Sequence, residues 1–538
     1  MSWIPGGLFF FRAQFRSGFD QIGGDNGDAR LVVVLHEHWI DVFRGRVSWT
    51  SPPFFFPFKG TLGYTDTFFL NQVFYAPLRA AGLDEFLAFQ WTVVLLSIVG
   101  FVGMFVLLRR VVGVSLWGTF ALATTFAFAN NLYIKAAHPQ LYSVYWLPLL
   151  VLVLVRTIRS RRRSEQVLWG ALAGGLLGLI LFSTYYIGWF AIFIGAIYLA
   201  VFALLRWRAG GGRALVAACR RRIAALAGWL IGLAVTLIPF FVLYVPVLRQ
   251  IGGRRYEDVM FYYAPHPAEV LNLGANNYLW GSLARTVLEP AELINSETSL
   301  ALTPVLLLLT LAAGIVAWRL RRRAQAGLLA SWCVAGAVTV AALTVLPLHF
   351  GVGSLWRLPW EIVPGSSGIR AIDRLQVVAG PLACVTVAVG LATVIRGVHW
   401  RRPERGRLAA MTMAAVLVVP VIEQINFGAN AYVDRSVEVE RLTETPFAPT
   451  GCQLFFVIDS ATPPHSFAQS SVDALLIAQR TGIPTVNGYS GQYPAGYGLS
   501  DPTSPDYQAQ VRNWVIAKEV EPNLCSYDID LRIWTHTP

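Results

Sequence analysis

The chain has 538 residues, 55% of them hydrophobic and only 14% charged, with 18 Trp, 19 Tyr and 33 Phe. A soluble domain carries roughly 25% charged residues, so the composition argues against a soluble enzyme, and the aromatic content excludes disorder. The net charge of +12 does not signal nucleic acid. Apart from Lys59, Lys135 and Lys518 the basic residues are all arginine, gathered in short clusters between long apolar runs, which is the pattern of a polytopic membrane protein. Five cysteines exclude a disulfide-rich scaffold and a Cys-based zinc module.

Apolar runs of the length that crosses a bilayer as a helix fall at 86–108, 112–129, 141–155, 167–183, 185–205, 223–245, 298–318, 327–346, 375–395 and 408–425. The fold class expected is a polytopic α-helical membrane protein with a small α/β domain at its C-terminal end. The arginine clusters lie at 109–110, 156–163, 206–222, 319–323 and 396–407, with only Glu165 and Glu404 as acids among them. Each follows every second span, so the alternation is self-consistent and places the clusters in the cytoplasm. Residues 19–85, 130–140, 246–297, 347–374 and 426–538 then lie outside. The division expected is a truncated first span over 1–18, a first outer loop over 19–85, the membrane domain over 86–425 and an outer α/β domain over 426–538. Residues Trp3–Phe11 read as the outer end of a span that starts before Met1. Cys452 and Cys525 both fall in the outer tail, where a disulfide persists, and are predicted to pair.

The first outer loop is the most informative stretch. Glycine-rich turn residues from Gly23 lead into an amphipathic helix over Asp28–Arg44. At the helical period, Arg30, Glu37, Asp41 and Arg44 share a polar face and Val32, Leu35, Trp39 and Phe43 the opposite one. Such a helix lies along a membrane surface, apolar face down. Asp25 and Asp28 sit at its start. Two readings stand: a cap of the helix, or a catalytic base taking a proton from an acceptor hydroxyl at the mouth of a membrane cavity. His36 and His38 point about 160° apart on a helix, unlike the HExxH pair, so a lone interfacial histidine is expected and no metal ligand set. In SPPFFFPFKGTLGYTD, Lys59 and Asp66 flank a glycine turn. Asp66 is a second-rank catalytic candidate beside its reading as a turn residue.

Acids just after a first span, a surface-lying amphipathic helix, ten spans and an outer C-terminal domain together resemble the GT-C superfamily of membrane glycosyltransferases. The resemblance covers the membrane part, residues 1–425, and is architectural. It implies transfer of a sugar from a polyprenyl-phosphate donor on the outer face. Asp25 and Asp28 in GGDNGDARL match the position of the family's key acid, and Asp66 is a second acid. The chain departs from the family in having no Asp-Asp or Asp-Glu dipeptide there.

Further candidates lie on the same side. His138 opens the third span, either orienting an acceptor or a pyrophosphate or, the reading preferred, hydrogen bonding within an aromatic belt. Arg370 and Arg374 share a helix face at i, i+4 and run against the charge trend of the outer side. They either hold a donor phosphate, with Lys59, through the bidentate fork of arginine, or pair with Asp373 or Glu361 or snorkel to headgroups. Glu297, the last acid before a span, is read as facing a cavity. In the tail, strands are expected at 453–458, 484–489 and 528–534 and helices at 466–480 and 505–520. GYSG at 488–491 lacks the spacing of a GxSxG elbow.

These readings converge on a glycosyltransferase integral to the cytoplasmic membrane, acting on an envelope glycan or protein acceptor. Its partners are the bilayer and a polyprenyl-phosphate sugar, not nucleic acid. No cofactor is predicted, a divalent metal being left open. The alternatives are a lipid-linked glycan transporter or flippase, which needs ionisable residues deep in its spans or broken helices, and a non-catalytic envelope scaffold.

Overall fold

The computed structural model describes residues 3–252, 254–293, 297–299, 302–321, 327–351, 353–399, 415–520 and 523–536. Among them seven helices are long and apolar enough to cross a membrane: Glu85–Val112, Pro139–Arg159, Arg163–Ser183, Tyr185–Arg221, Ile223–Ile251, Gly327–Val345 and Ile372–Ile395. The protein is thus a multi-pass membrane protein. Two further expected spans are shorter helices, Leu116–Ala127 with 12 residues and Pro304–Leu320 with 17. The span expected at 408–425 lies partly outside the described residues, which hold its Val418–Ile422 helix.

Small residues set the closest helix pair. A Cβ on Gly170 or Gly174 would meet the carbonyl oxygen of Ala225 or Trp229 at 2.3 or 2.0 Å, and one on Gly228 or Gly232 would meet that of Val167 or Ala171 at 2.2 or 1.9 Å. The backbones of Arg163–Ser183 and Ile223–Ile251 therefore touch, as small-xxx-small stripes allow in a bilayer. Contacts between loops define two ends. At one, Arg222 donates to the Ser160 carbonyl, joining two arginine clusters. At the other, Phe68 N donates to Ser183 O at 2.9 Å and Tyr64 to Gln250 Oε1 at 2.8 Å, joining the first loop to the opposite ends of the same two helices.

The tail is a small α/β unit. Leu454–Ile458 pairs in parallel with Leu524–Asp528, which pairs antiparallel with Ile533–His536. Helix Phe467–Thr481 starts at Ser466, whose side chain accepts from Gln469 N, and stops at the left-handed Gly482, the cap residues that the sequence supplies. Cys452 and Cys525 form the expected disulfide, Cα–Cα 5.7 Å. The strand expected at 528–534 is corrected. Asp528 Oδ1 accepts the N–H groups of Asp530 and Leu531, an Asx turn that splits the stretch into the end of one strand and the start of the next. Residues 484–489 make a single bridge, Phe455 to Thr485, rather than a full strand.

The first loop and the tail are woven into one body. Gln21–Gly23 pairs antiparallel with Tyr432–Asp434. Phe55 N and Phe56 N donate to Asn487 O and Thr485 O at 2.9 and 3.0 Å, and Thr485 N donates back to Pro53 O at 3.0 Å. The helix Asp28–Phe43 forms where expected, but its polar face is not solvated. Arg30 is 1% exposed and pairs with Glu438 at 2.9 Å and with Asp473, both of which also pair with Arg441. Glu37 takes Arg79 at 2.7 Å. The helix lies between the tail and the membrane bundle rather than on a bare lipid surface, because its polar residues find charged partners on one side while Val33, Val34 and Leu35 pack fully buried. His36 and His38 are likewise buried, not interfacial. Burial holds their pKa values down at about 3 and about 4, and they face different partners, Gln72 and Trp49.

Removing one member of a buried charge set leaves uncompensated charge, on the order of 3–5 kcal/mol. Arg30→Met, leaving Asp473 and Glu438 with Arg441 alone, is expected to lower the thermal midpoint and expose the tail to protease. An unchanged midpoint and digestion pattern contradict this role.

Candidate active site

The turn before helix Asp28–Phe43 decides what its two acids do. Gly24 has φ +144°, and a Cβ there would strike Ala29 Cβ at 2.1 Å, so only glycine makes the turn. It folds Asp25 over the helix start, where Asp25 Oδ1 accepts Ala29 N–H at 3.0 Å. Capping therefore falls to Asp25. Asp28, the first helical residue, is released to the interior of the loop cluster.

There Asp28 Oδ2 meets His138 Nδ1 at 3.0 Å. The other ring nitrogen, Nε2, meets Glu297 Oε1, and Glu297 also takes the guanidinium of Arg374 at 2.8 and 3.0 Å. Lys135 Nζ donates to the Glu297 carbonyl at 2.6 Å and to Asp373 Oδ2 at 2.5 Å. Tyr489 of the tail donates to Asp28 Oδ1 at 3.2 Å. Four separate stretches of chain thus meet in one line, Asp28–His138–Glu297–Arg374, with Tyr489 closing its free end.

Electrostatics follow from the pairing. Burial alone would raise Asp28, but the hydrogen bond and charge of His138 and the charge of Arg374 outweigh it and hold Asp28 below the usual carboxylate range. Glu297 is likewise raised by burial but held far lower by His138, Arg374 and Lys135. Burial and Arg374 push His138 down, yet its bonds to Asp28 and Glu297 win and raise it. With a carboxylate at each nitrogen, His138 is an imidazolium donating both ways. Asp25 shifts the other way, upward, through burial and the neighbouring Asp28.

The remaining candidates sit around this line. Asp66 Oδ1 accepts Tyr185 N–H at 2.8 Å at the start of a helix, and burial lifts its carboxyl to about 6. Arg374 is corrected: its guanidinium is taken by Glu297, the pairing reading of the sequence but with a different acid from those expected, so it is not open to a phosphate. Lys59 is corrected too: its side chain is exposed rather than gathered with the arginines. Arg370 stands over the Tyr263 ring at 5.2 Å and its backbone N–H donates to Tyr186 at 2.6 Å. Arg254, which the sequence reading missed, joins it. Arg254 donates to Gly491 O at 3.1 Å, its Nε is buried without a hydrogen-bond partner, and burial together with the like charge of Arg370 lowers its pKa. Among the described residues neither arginine pairs with a carboxylate. Lys135, Tyr186 and Tyr489 were also missed, and Lys135 had a signal, a lone lysine three residues before His138 in an apolar context.

No family model matches the chain, and no curated protein does. Solved structures similar to it include the arabinofuranosyltransferase AftD from Mycobacteria, at 15% identity and TM-score 0.44 over 86% of this chain and 29% of that one. The oligosaccharyltransferase of Archaeoglobus fulgidus is similar at 12% identity and TM-score 0.47 over 90% of this chain and 64% of that one. ArnT from Cupriavidus metallidurans is similar at 12% identity and TM-score 0.43 over 94% and 88%. The chain spans less than a third of the first and just under two thirds of the second. At these TM-scores the likeness carries no argument about the site, whose reading rests on its own geometry.

A histidine whose folded pKa lies above its unfolded value, about 6.5, stabilises fully below that value and loses the contribution as pH rises through the folded pKa. The stability of the wild type over His138→Gln is therefore expected to be greatest in mildly acidic buffer and to shrink toward alkaline pH, read as thermal midpoints against pH. A gap that is constant or widens with pH contradicts an imidazolium at His138.

Proposed function

We propose that the protein is a membrane glycosyltransferase of GT-C type that moves a sugar from a polyprenyl-phosphate donor to a hydroxyl of an envelope acceptor on the outer face. The observation that carries this reading is the charged line Asp28–His138–Glu297–Arg374 lying beside two arginines, Arg254 and Arg370, that have no described carboxylate partner. Arginine forks left unpaired beside tyrosines suit a phosphate. An apolar ramp leads to them: Leu355, Leu358 and Ile362 are 55, 64 and 67% exposed on the segment before Arg370, a surface suited to a prenyl chain. The arginine clusters at the opposite helix ends support an outer location for the site and the tail.

In this reading Asp28 is the base. It stays ionised at neutral pH, whereas Asp25 is occupied with the helix cap. The acceptor oxygen attacks the anomeric carbon as the bond to the phosphate oxygen breaks, and its proton passes to Asp28 Oδ2 or Oδ1. The electron pair of the broken bond leaves on the polyprenyl phosphate, whose growing charge Arg254 and Arg370 stabilise. A single displacement of this kind inverts the anomeric centre. His138 and Glu297 orient Asp28 and balance its charge. Asp66, with its raised pKa, is the second carboxylate of the site.

A transporter is favoured less, because among the described residues the ionised groups cluster at the helix ends rather than at mid-depth. The test is envelope glycan composition in a deletion strain complemented with variants. Asp28→Asn is expected to leave the glycans of the deletion strain at normal protein levels, since loss of a general base costs about 10²–10⁴ in rate. Arg254→Ala with Arg370→Ala is expected to lower transfer in proportion to donor supply. Wild-type glycans from Asp28→Asn overturn the enzyme reading and favour a scaffold.

A further inference from the structure

Tyr489 lies 461 residues along the chain from Asp28, yet its hydroxyl donates to Asp28 Oδ1 at 3.2 Å. The other oxygen of Asp28 is held by His138, so each carboxylate oxygen is gripped from a different part of the fold. The approach is built into the backbone. A Cβ on Gly27 would meet Tyr489 Oη at 3.2 Å and Ala468 Cβ at 3.3 Å, and one on Gly488 would meet the Phe55 ring at 1.9 Å. Both glycines let the tail loop close onto the first loop. The seat is fixed by the Arg30–Asp473–Glu438–Arg441 charges, by Gln479 donating to Val34 O at 2.6 Å, and by Asn26 donating to Gln469 at 3.2 Å. Phe467 packs against the Tyr489 ring, centroids 6.2 Å apart.

We propose that Tyr489 is a positioning residue for Asp28, so that the site is complete only while the tail is seated on the first loop. This rests on the reading of Asp28 as the base. A hydroxyl donating to an ionised carboxylate makes a charge-assisted bond, which fixes the rotamer of Asp28 and favours its ionised form. Burial and the charge of Asp28 raise the phenol of Tyr489, so it keeps its proton and remains a donor across the working range. The tail is thereby part of the machinery and not only a cover: a displaced tail withdraws one of the two groups that aim the base.

The test uses the full chain with ¹³C-labelled aspartate carboxyls and infrared titration, the difference from Asp28→Asn isolating the Asp28 band. In Tyr489→Phe, which keeps the ring, Asp28 is expected to protonate at higher pH than in the wild type. Ser490→Ala removes the neighbouring bond to the Tyr64 carbonyl without touching Asp28 and is expected to titrate as wild type. Where glycan transfer is followed, the Tyr489→Phe loss is expected to be on the order of tenfold in acidic medium, the range of one hydrogen bond to a charged group, and to fade as pH rises and Asp28 ionises in both proteins. An unshifted Asp28 band in Tyr489→Phe, an equal shift in Ser490→Ala, or a loss of transfer independent of pH overturns the proposal. Unchanged glycans in Asp28→Asn overturn the glycosyltransferase reading instead, and the infrared shift then still decides whether Tyr489 holds Asp28.

Discussion

The charge on one imidazole organises the loop end of this protein. His138 presents both ring nitrogens to carboxylates, Asp28 on one side and Glu297 on the other. Two ionised carboxylates brought together in a half-buried space repel unless a cation stands between them, and at effective dielectrics near 20 a unit pair at about 4 Å interacts by roughly 4 kcal/mol. The arrangement ties together segments that the chain keeps far apart: the helix after the first turn, the approach to the Pro139–Arg159 span, the segment around residue 297 and the start of the Ile372–Ile395 span. Arg374 and Lys135 extend the same balance to Asp373. Asp28 and Glu297 are thus aimed at the two nitrogens of one ring.

The arginines show how context divides one residue type between those the fold neutralises and those it leaves without a carboxylate among the described residues. Arg30 and Arg374, 1% and 6% exposed at their side chains, are consumed by acids brought to them by the fold. One locks the tail to the first loop, and the other anchors Glu297. Arg254 and Arg370 lack such acids among the described residues and repel one another, a cost that an anion between them would remove. The site therefore combines a neutralised acid–base line with an uncompensated positive pair.

Much of the architecture was legible in the chain because hydropathy is local. The runs at 86–108, 167–183 and 223–245 became full spans, and Ser466 and Gly482 marked the ends of a tail helix. The Leu116–Ala127 and Pro304–Leu320 helices are shorter than their runs suggested, since apolar residues also fill turns packed inside the bundle. The site was legible only in part. Asp28, Glu297 and Arg370 stood out as charges in apolar or outer-side contexts. The bland reading of His138 failed because both its partners lie more than a hundred residues away and no local pattern announces them. The partner of Arg374 is not legible because Glu297 is distant in sequence, which leaves phosphate binding and pairing with a nearby acid both open, and the covering of the amphipathic helix comes from residues 438–473, so the sequence lays it on lipid. The Asx turn at Asp528 is not legible because the apolar residues Ile529, Leu531, Ile533 and Trp534 make 528–534 read as one continuous strand.

The most direct test is the titration of His138 itself, followed by NMR of the ring carbon in protein labelled at its 8 histidines, with His138→Gln assigning the signal. A protonated bridge titrates above the ordinary histidine value, and Asp28→Asn or Glu297→Gln each bring it down. A His138 that titrates at or below the ordinary value, or that ignores the loss of both carboxylates, contradicts the account.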